Sequence, residues 1–303
     1  MEQEDIIRAI EEKYVALGEK PATYLQGLFH ARPLCYWDYV EVDTLLSLQK
    51  PRTNFKDEEV FIMYHQVTEL VLKLMLHEIR QVAGNHAPNE ELIVSRLDRL
   101  CRYTNMLITS FSVMKDGMSY VDYNLFRTSL APASGFQSVQ FRYIELYCTR
   151  IANLVSEEGK KMLGADPSEE ECLAHIYWKN AGINRATGKK TMTLQLFEEK
   201  YHDDLLRLTK AIKGNTLEDK VLALPGISPR LREKLREFDR LYNVEWPLVH
   251  LDTARHYLDS KGEAKAATGG SDWKKYLHPQ SQQRKFFPTL WNADENEGWG
   301  KTL

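Results

Sequence analysis

Apolar residues recur at three- and four-residue steps through most of this chain, and that period constrains the fold more than any other feature. Between Asp57 and Val82, the residues Val60, Phe61, Tyr64, Val67, Val71, Leu74 and Met75 fall on one stripe. At about 3.6 residues per turn this predicts a helix of about seven turns. Asp57, Glu58 and Glu59 suit the positive end of its dipole, and Gly84-Asn85 with Pro88 beyond stop it. The same spacing predicts helices over 89–114 (Leu92, Leu97, Leu100, Leu107 and Ile108 inward), 136–163, 169–178, 194–213 and 228–258. Pro247 sits inside the last pattern and should kink the helix or end it near Glu245. No segment alternates strictly between two turn signals, so the expected fold class is all-α, a single large helical domain over 1–303. The 262–272 stretch, with adjacent Gly269 and Gly270, reads as a flexible loop able to approach a ligand closely.

Composition narrows the function classes. The 303 residues are 43% hydrophobic, enough for a real core, and carry a formal net charge of only −3. That balance shows no bias toward nucleic acid. No apolar run approaches the ~18 residues of a membrane span. The start, Met1-Glu2-Gln3-Glu4-Asp5, has no signal-peptide order. Cys35, Cys101, Cys148 and Cys172 are scattered, with no C-x-x-C pair and no c-type haem attachment motif. Reduced thiols in a cytoplasmic protein follow. None of the nine histidines forms H-E-x-x-H, and Walker, G-x-G-x-x-G and G-x-S-x-G signatures are missing.

Three local patterns can carry chemistry. Phe61 and His65, four apart, share a helix face and could line a pocket for a flat ligand. The plainer reading is a core histidine satisfied by a neighbour. Tyr123 and Arg127 also share a face, just before the Pro132-Ala133-Ser134-Gly135 break. Arg127 on a mostly apolar segment needs a partner, either a ligand carboxylate or an internal Glu. The third pattern is Trp246-Pro247-Leu248-Val249-His250, followed by Thr268-Gly269-Gly270. A histidine among apolar neighbours can be an axial haem ligand, although helical histidines are commoner than haem ligands.

In order along the chain, these patterns resemble the haem-dependent tryptophan 2,3-dioxygenase family. The likeness runs through Tyr39–Gln49, Phe61-Ile62-x-x-His65-Gln66-x-x-Glu69-Leu70, Phe126-Arg127, Pro132-x-Ser134-Gly135-Phe136-Gln137-Ser138-x-Gln140-Phe141-Arg142-Tyr143-Ile144-Glu145, Trp246-x-x-x-His250, Thr268-Gly269-Gly270-Ser271 and Phe286-Phe287-Pro288-x-Leu290. The resemblance implies haem b as cofactor, its iron held by His250, with O2 as co-substrate. His65 would hydrogen-bond the indole N–H and Phe61 would pack on the indole. Arg127, beside Tyr123, would hold the substrate carboxylate, and Ser134 and Thr268 would complete the amino-acid end. Tyr36, Tyr39 and Val40, within the first 50 residues, would reach a neighbouring subunit's pocket in a homotetramer. The implied reaction is cleavage of the tryptophan indole C2–C3 bond to N-formylkynurenine. The alternative is a haem mono-oxygenase or hydroxylase acting on tryptophan, a substituted tryptophan or tyrosine. The chain departs from the family pattern at Val67 and Thr68 and after Ser271, where it reads Asp272-Trp273. A helical haem carrier without turnover would have no need of the Tyr123/Arg127 pair.

Overall fold

The computed structural model describes residues 2–184, 187–259 and 273–301, with only the backbone at 275. It divides into two compact units, Met1–Gln49 and Lys50–Leu303. The first carries α1 (Gln3–Ala16), α2 (Pro21–His30), α3 (Tyr36–Val40) and α4 (Val42–Leu45). The Tyr14 and Tyr24 rings stack at 3.9 Å between α1 and α2. Glu41, with φ 55°, makes the left-handed turn between α3 and α4.

The second unit is built on α5 (Asp57–Ala83) and α6 (Glu90–Lys115). It continues through α7 (Tyr120–Phe126), α8 (Val139–Cys148), α9 (Glu157–Met162), α10 (Glu169–Ala174), α11 (Met192–Ile212), α12 (Leu217–Leu222) and α13 (Pro229–Arg240). It ends with α14 (Trp246–Leu258), α15 (Trp273–Leu277), α16 (Pro279–Gln282) and α17 (Ala293–Gly298). Among the described residues there is no strand, only two isolated bridges, so the all-α expectation holds. No described helix is long and apolar enough to cross a membrane.

The helix starts are written in side chains. Asn89, Ser119, Ser138, Ser156, Thr191 and Ser228 each accept a hydrogen bond from a backbone N–H of the first turn they precede. Each such cap stabilises its helix by about 1 kcal/mol. Glu58, buried in the first turn of α5, accepts from the Arg52 and Thr53 amides, both at 2.8 Å, and so fixes where α5 begins.

Packing assigns the faces. α5 lies on α6 and α8, and α6 also receives α13 and α14. Tyr64, Val71 and Met75 of the α5 stripe are buried, as are Leu97, Leu100 and Leu107 of α6. Val67 and Leu74, expected inward, are instead exposed alongside Met63 and Leu70. The apolar surface of α5 is thus wider than the arc its neighbours cover. A second apolar cluster surrounds Trp178, Phe197 and Phe136.

Two expected helices are interrupted. The 136–163 pattern folds as a turn at Gly135–Gln137, then α8, then a short turn and α9. The cause is tertiary. Buried Glu218, at the start of α12, accepts from Thr149 Oγ1 (2.8 Å), the Arg150 amide (3.0 Å) and Asn153 Nδ2 (2.9 Å). Thr149 is drawn into extended backbone, which ends α8. The 169–178 pattern stops at Ala174, because Ile176 bridges Val155. At the end of α13 the chain does not break before Pro247. It widens into a π turn over Leu241–Glu245 that leads straight into α14. The wider turn absorbs the missing proline N–H and the ring's clash with the preceding turn.

Candidate functional site

One cavity in the 50–303 unit collects the residues singled out in the sequence. Phe61, His65, Tyr123, Arg127, Ser134 and His250 all border it. Thr268 and the 262–272 stretch lie outside the described residues. Tyr36, Tyr39 and Val40 sit on α3 of the N-terminal unit, with exposed side chains.

α5 supplies the first wall. The Phe61 and His65 rings stand 4.1 Å apart, tilted by 36°, one turn from each other. His65 Nδ1 lies 2.7 Å from the Phe61 carbonyl oxygen. A carbonyl can only accept, so Nδ1 carries the proton and Nε2 keeps its lone pair. Burial depresses the His65 pKa and so favours the neutral ring, partly opposed by that hydrogen bond and by Glu69. His65 is therefore half satisfied: one nitrogen is tied to its own helix, and the other is available as an acceptor.

α14 supplies the second imidazole. His250 is accessible, and the open space beside it is the cavity itself. Protein surrounds that space, and burial, with a smaller contribution from His65, lowers the His250 pKa to about 4. Its ring stacks on Phe111 at 5.3 Å. Among the described residues it has no hydrogen-bond partner. A neutral imidazole without a partner, facing a cavity, is in the state a metal ion requires.

α7 and the turn after it supply a cation. Ser119 caps α7, and its amide is held at 2.5 Å by Asp57 from the start of α5. Tyr123 packs at 4.3 Å on Tyr257, whose hydroxyl donates to the Met114 carbonyl at 2.6 Å. Burial raises the Tyr123 pKa, and Arg127, which hydrogen-bonds it, pulls the other way. Arg127 is buried and borders the cavity. Ser134 accepts from the Phe136 amide at 3.3 Å, and Gln137 Nε2 donates to the Thr193 carbonyl at 3.1 Å, which pins this turn to α11.

Sequence reasoning missed part of the wall. Glu69, one turn beyond His65, accepts from Gln140 Nε2 at 2.7 Å and joins α5 to α8. Arg142, Tyr276 and Arg284 also border the cavity. Glu69, Gln140 and Arg142 stand inside the blocks of family likeness, so that signal was present. Tyr276 and Arg284 lie outside every block and gave none.

The pattern described as tryptophan 2,3-dioxygenase matches residues 26–212, more than half of the chain. The chain belongs to the tryptophan 2,3-dioxygenase family. A relative of that name from Bacillus cereus is 28% identical over 271 residues, covering 86% of this chain and 91% of that protein. Another from Herpetosiphon aurantiacus is 28% identical over 272 residues, covering 86% and 97%. A third, from a Polaromonas species, is 39% identical over a shorter stretch of 116 residues, 38% of this chain and 39% of that protein. For a member of the tryptophan 2,3-dioxygenase family, the cavity between α5, α7 and α14 is the candidate active site.

Proposed function

We propose that this chain is a haem-dependent dioxygenase that opens the indole C2–C3 bond of tryptophan with both atoms of O2, giving N-formylkynurenine. One observation carries the reading. A single cavity holds a neutral imidazole at His250 with no hydrogen-bond partner among the described residues, a second imidazole of fixed tautomer at His65, and the Arg127 cation against Tyr123.

The residues suit haem b. His250 offers iron one neutral nitrogen, and the walls beside it, including Leu72, Phe111, Phe141 and Trp246, are apolar. Among the described residues no three or more His, Cys, Asp or Glu gather to hold a bare ion. A haem held by His250 would bring the remaining iron ligands itself. When bound, haem supplies the O2 chemistry, and the protein supplies position and electrostatics.

The chain's own residues fix the amino acid. Arg127 holds the carboxylate through its planar two-point fork. Tyr123 braces Arg127, and Ser134 and Thr268 complete that end of the substrate. His65 Nε2 accepts the indole N–H, and Phe61 packs on the ring. Fixing both ends at once holds the indole in one orientation beside the O2 site, which lowers the barrier by removing rotational freedom before the reaction begins. In the same proposal the enzyme is a cytoplasmic homotetramer in which Tyr36, Tyr39 and Val40 complete a neighbouring subunit's site.

The test is product mass. Reduced, haem-loaded protein is incubated with tryptophan under isotopically labelled O2. A product carrying two labelled oxygens is expected. One labelled oxygen would move the protein to the mono-oxygenases, and absence of both product and a tryptophan-dependent Soret change would sink the enzymatic reading.

A further inference from the structure

The guanidinium of Arg142 is a buried junction at the edge of the cavity. It is 2% exposed. Nη2 donates to the Phe136 carbonyl at 3.3 Å and to the Tyr276 hydroxyl at 2.6 Å. Nη1 donates to the Tyr177 hydroxyl at 3.2 Å and to Glu145 at 3.4 Å. Glu145 is held in turn by Arg284 at 2.5 Å and by Tyr177. Burial disfavours the charge on Arg142, yet Tyr276, Tyr177 and Glu145 together hold its pKa above the ordinary range. The guanidinium stays protonated and keeps all its donors.

The two acceptors on Nη2 belong to cavity walls far apart in the sequence. Phe136 sits in the Gly135–Gln137 turn, next to Ser134, and Tyr276 sits on α15. Neither element is stable alone. The first is one turn and the second is five residues, well short of the ~12 that an isolated helix needs. Their positions depend on tertiary ties. For α15 those ties include the buried Trp273 ring, the Lys274–Asp259 ion pair at 2.7 Å, a hydrogen bond from Gln282 to the Tyr276 carbonyl, and Arg142 on the Tyr276 hydroxyl.

We propose that Arg142, acting through the Tyr276 hydroxyl, is a positioning residue that holds α15 against the Gly135–Gln137 turn and thereby sets the affinity of the cavity for its amino-acid substrate. This rests on the reading that the cavity takes tryptophan. A buried salt bridge with only a structural role would stabilise the fold without discriminating substrate binding. The tie proposed here touches the cavity wall at both of its ends.

Tyr276→Phe removes one oxygen and keeps the ring that packs on Phe136 at 5.8 Å. In haem-loaded protein, optical titration should give tryptophan a Kd about five- to tenfold weaker, less than the full worth of a hydrogen bond to a charged group because the tie acts on the wall and not on the ligand, with haem affinity unchanged. Backbone hydrogen exchange over 273–277 should quicken. Arg142→Lys should lose the same factor, and the double variant no more than either, because both changes cut one link. Parent affinity in Tyr276→Phe, or losses that add, overturns the proposal. If the parent protein binds no tryptophan, the functional reading has failed and the exchange arm decides the tie. Faster exchange in Tyr276→Phe then supports it, and parental rates overturn it.

Discussion

The N-terminal unit and the rest of the chain solve the problem of apolar surface in opposite ways. Residues 2–49 form four helices without one buried side chain, while Phe29 is 83% exposed and Tyr39 76%. Residues 50–301 bury Trp178, Tyr242, Phe238 and Phe286 at 1% exposure or less. The larger unit has a core of its own and a buried polar network around Arg142, Glu145 and Arg284 within it. The smaller one carries aromatic surface that a solitary segment would not keep, which is the pattern of an association surface. On the proposed reading, the difference teaches that cofactor chemistry and self-sufficient folding belong to one unit, and assembly to the other.

That comparison can be broken at several points. The largest effect should come from His250→Ala, which is expected to abolish haem retention, whereas Tyr36→Ala should leave the Soret band intact. Equal loss in both would mean that the N-terminal unit helps to hold the cofactor. Next, Phe238→Ala should lower unfolding stability by about 3–5 kcal/mol, because it opens a cavity in a closed core. Phe29→Ala should cost within about 0.5 kcal/mol at concentrations where the protein is dissociated, and should show instead as a lower assembly mass in light scattering. A core-sized cost at Phe29 would erase the contrast.

Within the larger unit the two ends of the substrate should separate in size. Arg127→Lys keeps charge but loses the fork, and tryptophan binding should weaken by about 1.5–3 kcal/mol, roughly tenfold to 150-fold, at unchanged haem content. Retained affinity would make Arg127 a purely internal partner of Tyr123. His65→Ala should be milder, about 0.5–1.5 kcal/mol for one neutral hydrogen bond. Its penalty should vanish for tryptophan methylated on the indole nitrogen. A penalty that persists with the methylated substrate would assign His65 to packing rather than to the N–H.

Local spacing made most of the long helices and half of the site readable. Phe61 with His65 and Tyr123 with Arg127 are pairs four residues apart, and a helix places such pairs together whatever surrounds it. The ends of α8 and α10 were unreadable. They are decided by Glu218 reaching Thr149 and by Ile176 bridging Val155, contacts between segments with no sequence signature in common. Val67 and Leu74 misled for a related reason. Period identifies an apolar stripe, but only the neighbours' width decides how much of it is covered.

By itself the sequence determined that the chain is helical, where α5 and α6 run, and which residue types are available for a flat aromatic ligand with a carboxylate. These follow from backbone period and side-chain chemistry, which act over one or two turns. Tertiary structure alone decided that His65 and His250, on α5 and α14, share one cavity. It also left His250 without a hydrogen-bond partner among the described residues, and brought Tyr276 to Arg142 across 134 positions of sequence. Those outcomes depend on how helices pack and on which buried polar groups find one another. Such distances are fixed only when the whole core closes.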